Sequence, residues 1–311
     1  VEKLHLEPEQ HRARRGVWFV LLAAVLWGTT GTAQALAPAD ASPLTIGYIR
    51  LSLGTIVLFI IAVRQGHLKG LNWTTWPRRT TLLAGVAIAA YQMFFFAGVD
   101  RTGVAVGTVV GIGSTPIAAG IFTYLAFRTF PGGRWAISTL LALVGCTLLI
   151  LSGGDLRLNG AGILLAMAAG ASYALYTLLT KQLLEIQPRG AVLSITFLIG
   201  SILLLPILIF GDFSWLAEPL GTAVALHLGI ITVGVAYTLY AMGLSIISVA
   251  ATATLTLAEP LTAGLLGIFL LGEDLSVMAL AGIILLLAGL VILILQPRTS
   301  QKEAIRNSSA L

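Results

Sequence analysis

The stretch TLTLAEPLTAGLLGIFLLGEDL, residues 254 to 275, sets a carboxylate and a proline side by side among leucine, alanine and glycine. An ionisable group at mid-membrane costs a few kcal/mol even on mild insertion scales, so it faces a protein interior or a cavity rather than lipid. Pro260 removes a backbone donor and frees a carbonyl one turn earlier, near Thr256, which lipid cannot satisfy but water or a threonine hydroxyl can. Glu259 and Pro260 therefore point to a helix interrupted at a wet site, with Thr252, Thr254, Thr256 and Thr262 nearby. The competing reading is a structural kink with Glu259 hydrogen-bonded and inert. Gly111, Gly113, Ser114 and Thr115 precede Pro116 in a similar way, which predicts a second break in the first half.

Arg50 is the one cation inside an apolar run. Counted at ~1.5 Å per residue, it lies ~10 Å from one boundary of its run, and Glu259 lies ~17 Å from the opposite boundary of its own. In ~30 Å of hydrocarbon the two depths differ by only several Å, so the pair could neutralise each other, or a substrate carboxylate could compete for Arg50. A structural Arg50 that caps carbonyls is the alternative. His227 lies about a turn and a half inside its run and reads as an interfacial or packed histidine.

Aromatic residues form a third group. Tyr91 and Phe95, and Gln92 and Phe96, are spaced i,i+4, while Tyr173 and Tyr176, and Tyr237 and Tyr240, are spaced i,i+3, so each pair shares a helix face. These tyrosines lie well inside their runs, away from the interfacial belt that tyrosine favours, and a buried phenol needs a partner. With Trp27 they are candidate substrate-binding residues: Trp27, Tyr91, Gln92, Phe95, Tyr173, Tyr176, Tyr237 and Tyr240. Arg50, Pro116, Glu259 and Pro260 are candidates for gating or coupling. Ordinary helix packing is the alternative for each aromatic side chain.

Enzyme chemistry finds no foothold. There is no H-E-x-x-H, G-x-S-x-G or G-x-x-x-x-G-K-[ST] motif, and three of the four histidines (His5, His11, His67) lie in a tail or loop. The single cysteine, Cys146, excludes an intramolecular disulfide and a thiolate cluster. No catalytic, metal or cofactor site is expected.

These residues need elements to position them. Of 311 residues 57% are hydrophobic and 10% charged, against about 25% charged in a soluble domain, and mean hydropathy is +0.96. Apolar runs recur at a length of about 20 residues, enough to span the bilayer, without the alternation of a β-barrel. The composition predicts an all-α polytopic membrane protein with ten spans near 17–37, 43–64, 81–99, 103–127, 134–152, 160–181, 190–210, 221–244, 248–271 and 275–295. Polar tails occupy 1–16 and 296–311, and no cleavable signal peptide is evident.

Fifteen lysines and arginines fall on the side of the N-terminus, two (Arg101 and Arg157) on the other, and Arg50 within a span. This asymmetry predicts cytoplasmic termini and accounts for the pI near 9.6 without nucleic acid. A shift of 144 residues superposes Pro116 on Pro260, Ala119 on Ala263, Gly120 on Gly264, Gly145 on Gly289, and the LIL at 149–151 on that at 293–295. With five spans per half, 17–152 and 160–295, the second half enters from the opposite face: a 5+5 inverted repeat around a central cavity, with the substrate site near the midplane. Gly103, Gly107 and Gly111 read as a small-residue packing face.

Trp27-Gly28, Arg50 after LTIGYI, Glu259-Pro260 and LLGEDL at 270–275 together resemble the drug/metabolite transporter superfamily, EamA type, over about residues 17 to 296. One departure is Arg128-Thr129, where the family's first half often has Gly-Glu. The resemblance implies a ten-helix inverted repeat exporting small metabolites, often amino acids, and is greatest to the YddG-type branch, which exports aromatic and other amino acids. The expectation is a bacterial-type inner-membrane secondary carrier working by alternating access, a monomer, with a small-molecule substrate and the lipid bilayer as its partners and protons as a candidate coupling ion. A channel-like pore and a non-transporting receptor are the alternatives.

Overall fold

The computed structural model describes residues 9–152, 159–270 and 276–295. The expectations for residues 1–8, for Arg157, for Gly272 to Leu275 and for the C-terminal tail lie outside the described residues. Among the described residues every regular element is helical. Among the same described residues, nine helices are long and apolar enough to cross a membrane.

Helix α1 (Glu9–Ala35) begins inside the expected polar tail, because Gly16 packs directly on Ile246 and Ile247. Helix α2 is Pro43–Arg64, started by the Ser42 side chain accepting from the Thr45 N–H. The spans expected at 81–99 and 103–127 are joined as α3 (Arg78–Phe127), which reverses at Gly103 with φ +79°. Gly103 is thus the pivot of a hairpin rather than part of a packing face, a backbone conformation that glycine alone adopts at little cost. Gly107 and Gly111 do pack within the bundle, against Val99 and Phe95. Then come α4 (Gly133–Leu151) and α5 (Gly160–Ile186), the latter capped by Asn159.

The seventh expected span differs from the expectation. It is a 15-residue helix, α6 (Arg189–Leu203), followed by the six-residue α7 (Leu205–Phe210). Pro206 explains the interruption, since its ring excludes the carbonyl four residues earlier and it has no N–H to donate. Next are α8 (Pro219–Leu226), a π-helical stretch His227–Val235 and α9 (Ala236–Leu244), together forming one span. The ninth span consists of α10 (Val249–Leu255) and α11 (Ala258–Leu270), and α12 (Val277–Ile294) ends the described bundle.

The expected break in the ninth span is present, at Thr256–Leu257. The expected free carbonyl is not: Thr256 O accepts from the Glu259 N–H at 2.9 Å. Pro260 falls in the first turn of α11, where an N–H would be unsatisfied anyway. The counterpart break at Pro116 does not form, and Gly103 is the one non-helical residue within α3.

Between helices in lipid there is no hydrophobic drive, so close packing at small residues holds the bundle together. A Cβ at Gly145 would strike Gly282 O and Leu286 N, and one at Gly289 would strike Ser138 O and Ala142 N. Shifted by 144 residues these are the same contact, so α4 and α12 pack antiparallel about a local two-fold relation. That geometry agrees with a 5+5 inverted repeat. Outward-facing Leu22, Ile60, Leu140, Leu164, Ile209 and Phe269 supply the apolar exterior.

Candidate functional site

A cavity of about 430 Å³ lies between the halves, within the range of about 300–1,000 Å³ typical of ligand pockets. Trp27, Arg50, Tyr91, Gln92, Phe95, Tyr173, Tyr237, Glu259 and Pro260 all line it, drawn from α1, α2, α3, α5, α9 and α11. It extends to Gln34 and Pro43, at the end of the molecule away from the N-terminus. At that same end Ser214 Oγ donates to Asp40 Oδ2 at 3.1 Å.

Local sequence sets each position. Gly28 lets α1 approach α11, since a Cβ there would meet Thr262 and Glu259 O. This contact places Trp27 beside the cavity, where its indole Nε1–H donates to Thr232 O at 2.7 Å. The acceptor belongs to the π-helical stretch; such segments are rare and concentrate at functional sites. Two residues along α1, Thr29 Oγ1 lies 2.9 Å from His227 Nε2.

The ring centroid of Trp27 stands 4.9 Å from Tyr237, 5.3 Å from Tyr240 and 6.3 Å from Tyr173. Tyr91 stands 5.0 Å from Tyr173 and 5.8 Å from Phe95. These separations are those of favourable edge and offset ring pairs. The i,i+3 partners divide by depth: Tyr173 and Tyr237 face the cavity, whereas Tyr176 and Tyr240 are fully buried below it and do not line it. Pro116 is buried and does not line it either.

Arg50 and Glu259 share this cavity without an ion pair within 4.0 Å. Arg50 is 9% exposed, and its Nε has no hydrogen-bond partner. A buried guanidinium donor costs free energy until an acceptor reaches it. The cavity therefore presents one unmatched cation and one carboxylate on an aromatic wall.

Thr30, Phe96, Thr108, Ile112 and Thr115 also line the cavity and were not among the candidate site residues, although Phe96 and Thr115 had been noted for their spacing. The repeat carried a signal for two of them. Ile112 and Thr115 are the 144-residue counterparts of Thr256 and Glu259, and all four lie on the wall.

A multi-pass helical bundle whose halves enclose an aromatic-walled cavity holding an arginine and a glutamate is built as a membrane transporter, and comparison with known proteins agrees. The EamA-like transporter family model matches residues 14–151 and 160–295. The chain belongs to that family. It is similar to a Bacillus subtilis (strain 168) protein named as the uncharacterized transporter YwfM, with 46% identity over 92% of this chain and 95% of the relative. It also resembles the Escherichia coli (strain K12) threonine/homoserine exporter RhtA, with 28% identity over 84% of this chain and 86% of the relative. A solved crystal structure with 19% identity shares the fold at a TM-score of 0.75, covering 89% of this chain and 96% of the other.

Proposed function

We propose that the protein is a secondary carrier that exports amino acids, including large apolar and aromatic ones, from the cytoplasmic face by alternating access. The carrying observation is the pair Arg50 and Glu259, a guanidinium and a carboxyl group that line one cavity without an ion pair within 4.0 Å. A zwitterion supplies what each of them lacks. Its carboxylate accepts from Arg50 and its ammonium meets Glu259, in charge-assisted bonds roughly twice as strong as neutral ones. Trp27, Tyr91, Phe95 and Tyr173 offer flat apolar faces to the side chain, and Gln92 offers both a donor and an acceptor. Backbone recognition of this kind is common to all neutral amino acids, so a broad range is expected. The relative named as a threonine/homoserine exporter supports an amino acid as cargo.

The basic asymmetry supports cytoplasmic termini. In that orientation the cavity faces outward and the fully buried layer at Tyr176, Thr177, Thr180 and Tyr240 closes the inner side. A carrier in one state of its cycle has this form, and a continuous pore does not.

The test is counterflow in proteoliposomes loaded with labelled phenylalanine, leucine or threonine. Saturable counterflow is expected, with phenethylamine and 3-phenylpropionate competing at least about tenfold more weakly than phenylalanine, because each lacks one charged group. Competition by the amine alone equal to that of the amino acid would overturn the assignment of Arg50. Flux that neither saturates nor counterflows would replace the carrier by a pore.

A further inference from the structure

A second pocket, of about 460 Å³, lies at the opposite end of the molecule from the cavity mouth. Its wall joins both halves: Arg12 of α1, His67 of the α2–α3 loop, Lys181, Leu184 and Glu185 of α5, Arg189 of α6, and Ser245 after α9. Three basic side chains face one carboxylate there. Burial and the Arg189 charge push the His67 pKa below the ordinary imidazole value, which favours the neutral ring. His67 Nδ1 can then accept the Gly190 N–H at 3.2 Å, at the start of α6.

What separates this pocket from the central cavity is thin, and buried hydroxyls are set among its apolar side chains. From Tyr173, on the cavity wall, to Lys181, on the pocket wall, α5 advances eight residues, or ~12 Å. Thr177 and Thr180 lie between them on α5, and Tyr240 faces them from α9, all fully buried. Two hydrogen bonds join the helices in this layer: Thr177 Oγ1 to Tyr240 OH at 2.7 Å, and Lys181 Nζ to Leu244 O at 2.8 Å. Buried polar groups are a costly way to build a permanent seal, and aliphatic side chains would pack the layer more cheaply. Hydroxyls suit a layer that is wetted in another state.

We infer that this pocket is the second mouth of the transport path, a loading site for an amino-acid zwitterion, and that the α5–α9 seam is the gate beneath it. The inference rests on the carrier reading above. The incoming carboxylate is drawn to Arg12, Lys181 and Arg189, and the ammonium to Glu185. As a charged acceptor the carboxylate competes with the Leu244 carbonyl for Lys181, because charge-assisted bonds outweigh neutral ones. Loading thereby releases the lower of the two seam bonds, and entry is coupled to opening.

The test presents labelled amino acid separately at each face of oriented proteoliposomes. Arg189→Gln and Glu185→Gln should each raise half-saturation about three- to tenfold at the N-terminal face and leave it unchanged at the other, whereas Lys181→Met, which also removes a seam bond, should raise it at the N-terminal face by at least as much. Lys181→Arg should restore the wild-type value within about twofold, because the charge is kept. A second measurement follows the seam itself. In a Cys146→Ala background, which removes the one cysteine, Thr180→Cys should react slowly with a methanethiosulfonate reagent at rest and at least about threefold faster during transport. Transport with an unreactive thiol there would overturn the gate. Equal shifts at both faces in the Arg189 and Glu185 variants would make those charges structural. Unchanged half-saturation at both faces, with stability that depends on anionic lipid, would make the pocket a headgroup site and overturn the loading role. A wild-type protein that moves no amino acid would instead fail the carrier reading itself.

Discussion

The pair α4 and α12 keeps the two-fold relation of the repeat, whereas the pair of spans that carries Pro116 and Pro260 departs from it. At the periphery, Gly145 and Gly289 meet equivalent backbone atoms of the opposite helix. At the cavity, α3 runs unbroken through Pro116 and offers Thr115, while the ninth span divides at Thr256–Leu257 and offers Glu259. Contacts that only pack can be duplicated, because the same backbone approach serves both halves. The zwitterionic cargo proposed above is not symmetric, and a wall that is to grip both of its ends has to differ from one half to the other.

The contrast can be broken most directly at its charged position. Glu259→Gln should lower amino-acid transport about tenfold or more, the cost of one charge-assisted contact, whereas Thr115→Val should lower it less than about threefold. Equal losses, measured as initial rates at matched protein levels, would mean that the asymmetry is incidental. At the periphery the opposite result is expected. Gly145→Ala and Gly289→Ala should each cost about 1–3 kcal/mol of stability and agree within about 1 kcal/mol, since each forces a methyl onto backbone. Thermal unfolding in detergent reads this, and a large disparity would break the two-fold relation. The smallest effects are expected at the prolines. Pro260→Ala should shift stability by less than about 1 kcal/mol, because a first-turn proline withholds a donor the helix does not use. Pro116→Ala should stabilise by somewhat more, because a helix interior does use it.

The prolines also show where the sequence was legible and where it was not. Glu259 and Arg50 stood out because charge within an apolar run has few places to go, and both line the cavity. The effect of a proline depends on its position within a helix, which composition does not state; hence the break expected at Pro116 is absent. The tyrosines illustrate depth. Spacing i,i+3 fixes a shared face but not a level, and ~4.5 Å of rise separates Tyr173 from Tyr176 and Tyr237 from Tyr240. The cavity floor falls between them. The π-helical stretch at His227–Val235 has no local signature, as its residues would equally suit an α-helix. The seventh span was placed correctly as an apolar run from 190 to 210, but the effect of Pro206 on its continuity was not anticipated.

The reversal at Gly103 has a consequence for biogenesis. The spans Arg78–Gly103 and Val106–Phe127 have almost no connection between them, so they form a helical hairpin whose tip carries Asp100 and Arg101. A nascent chain that inserts the first of these spans has no loop on which to pause before the second, and the pair enters the bilayer as one unit. The same tightness leaves no room there for an epitope tag, a protease site or a fused domain.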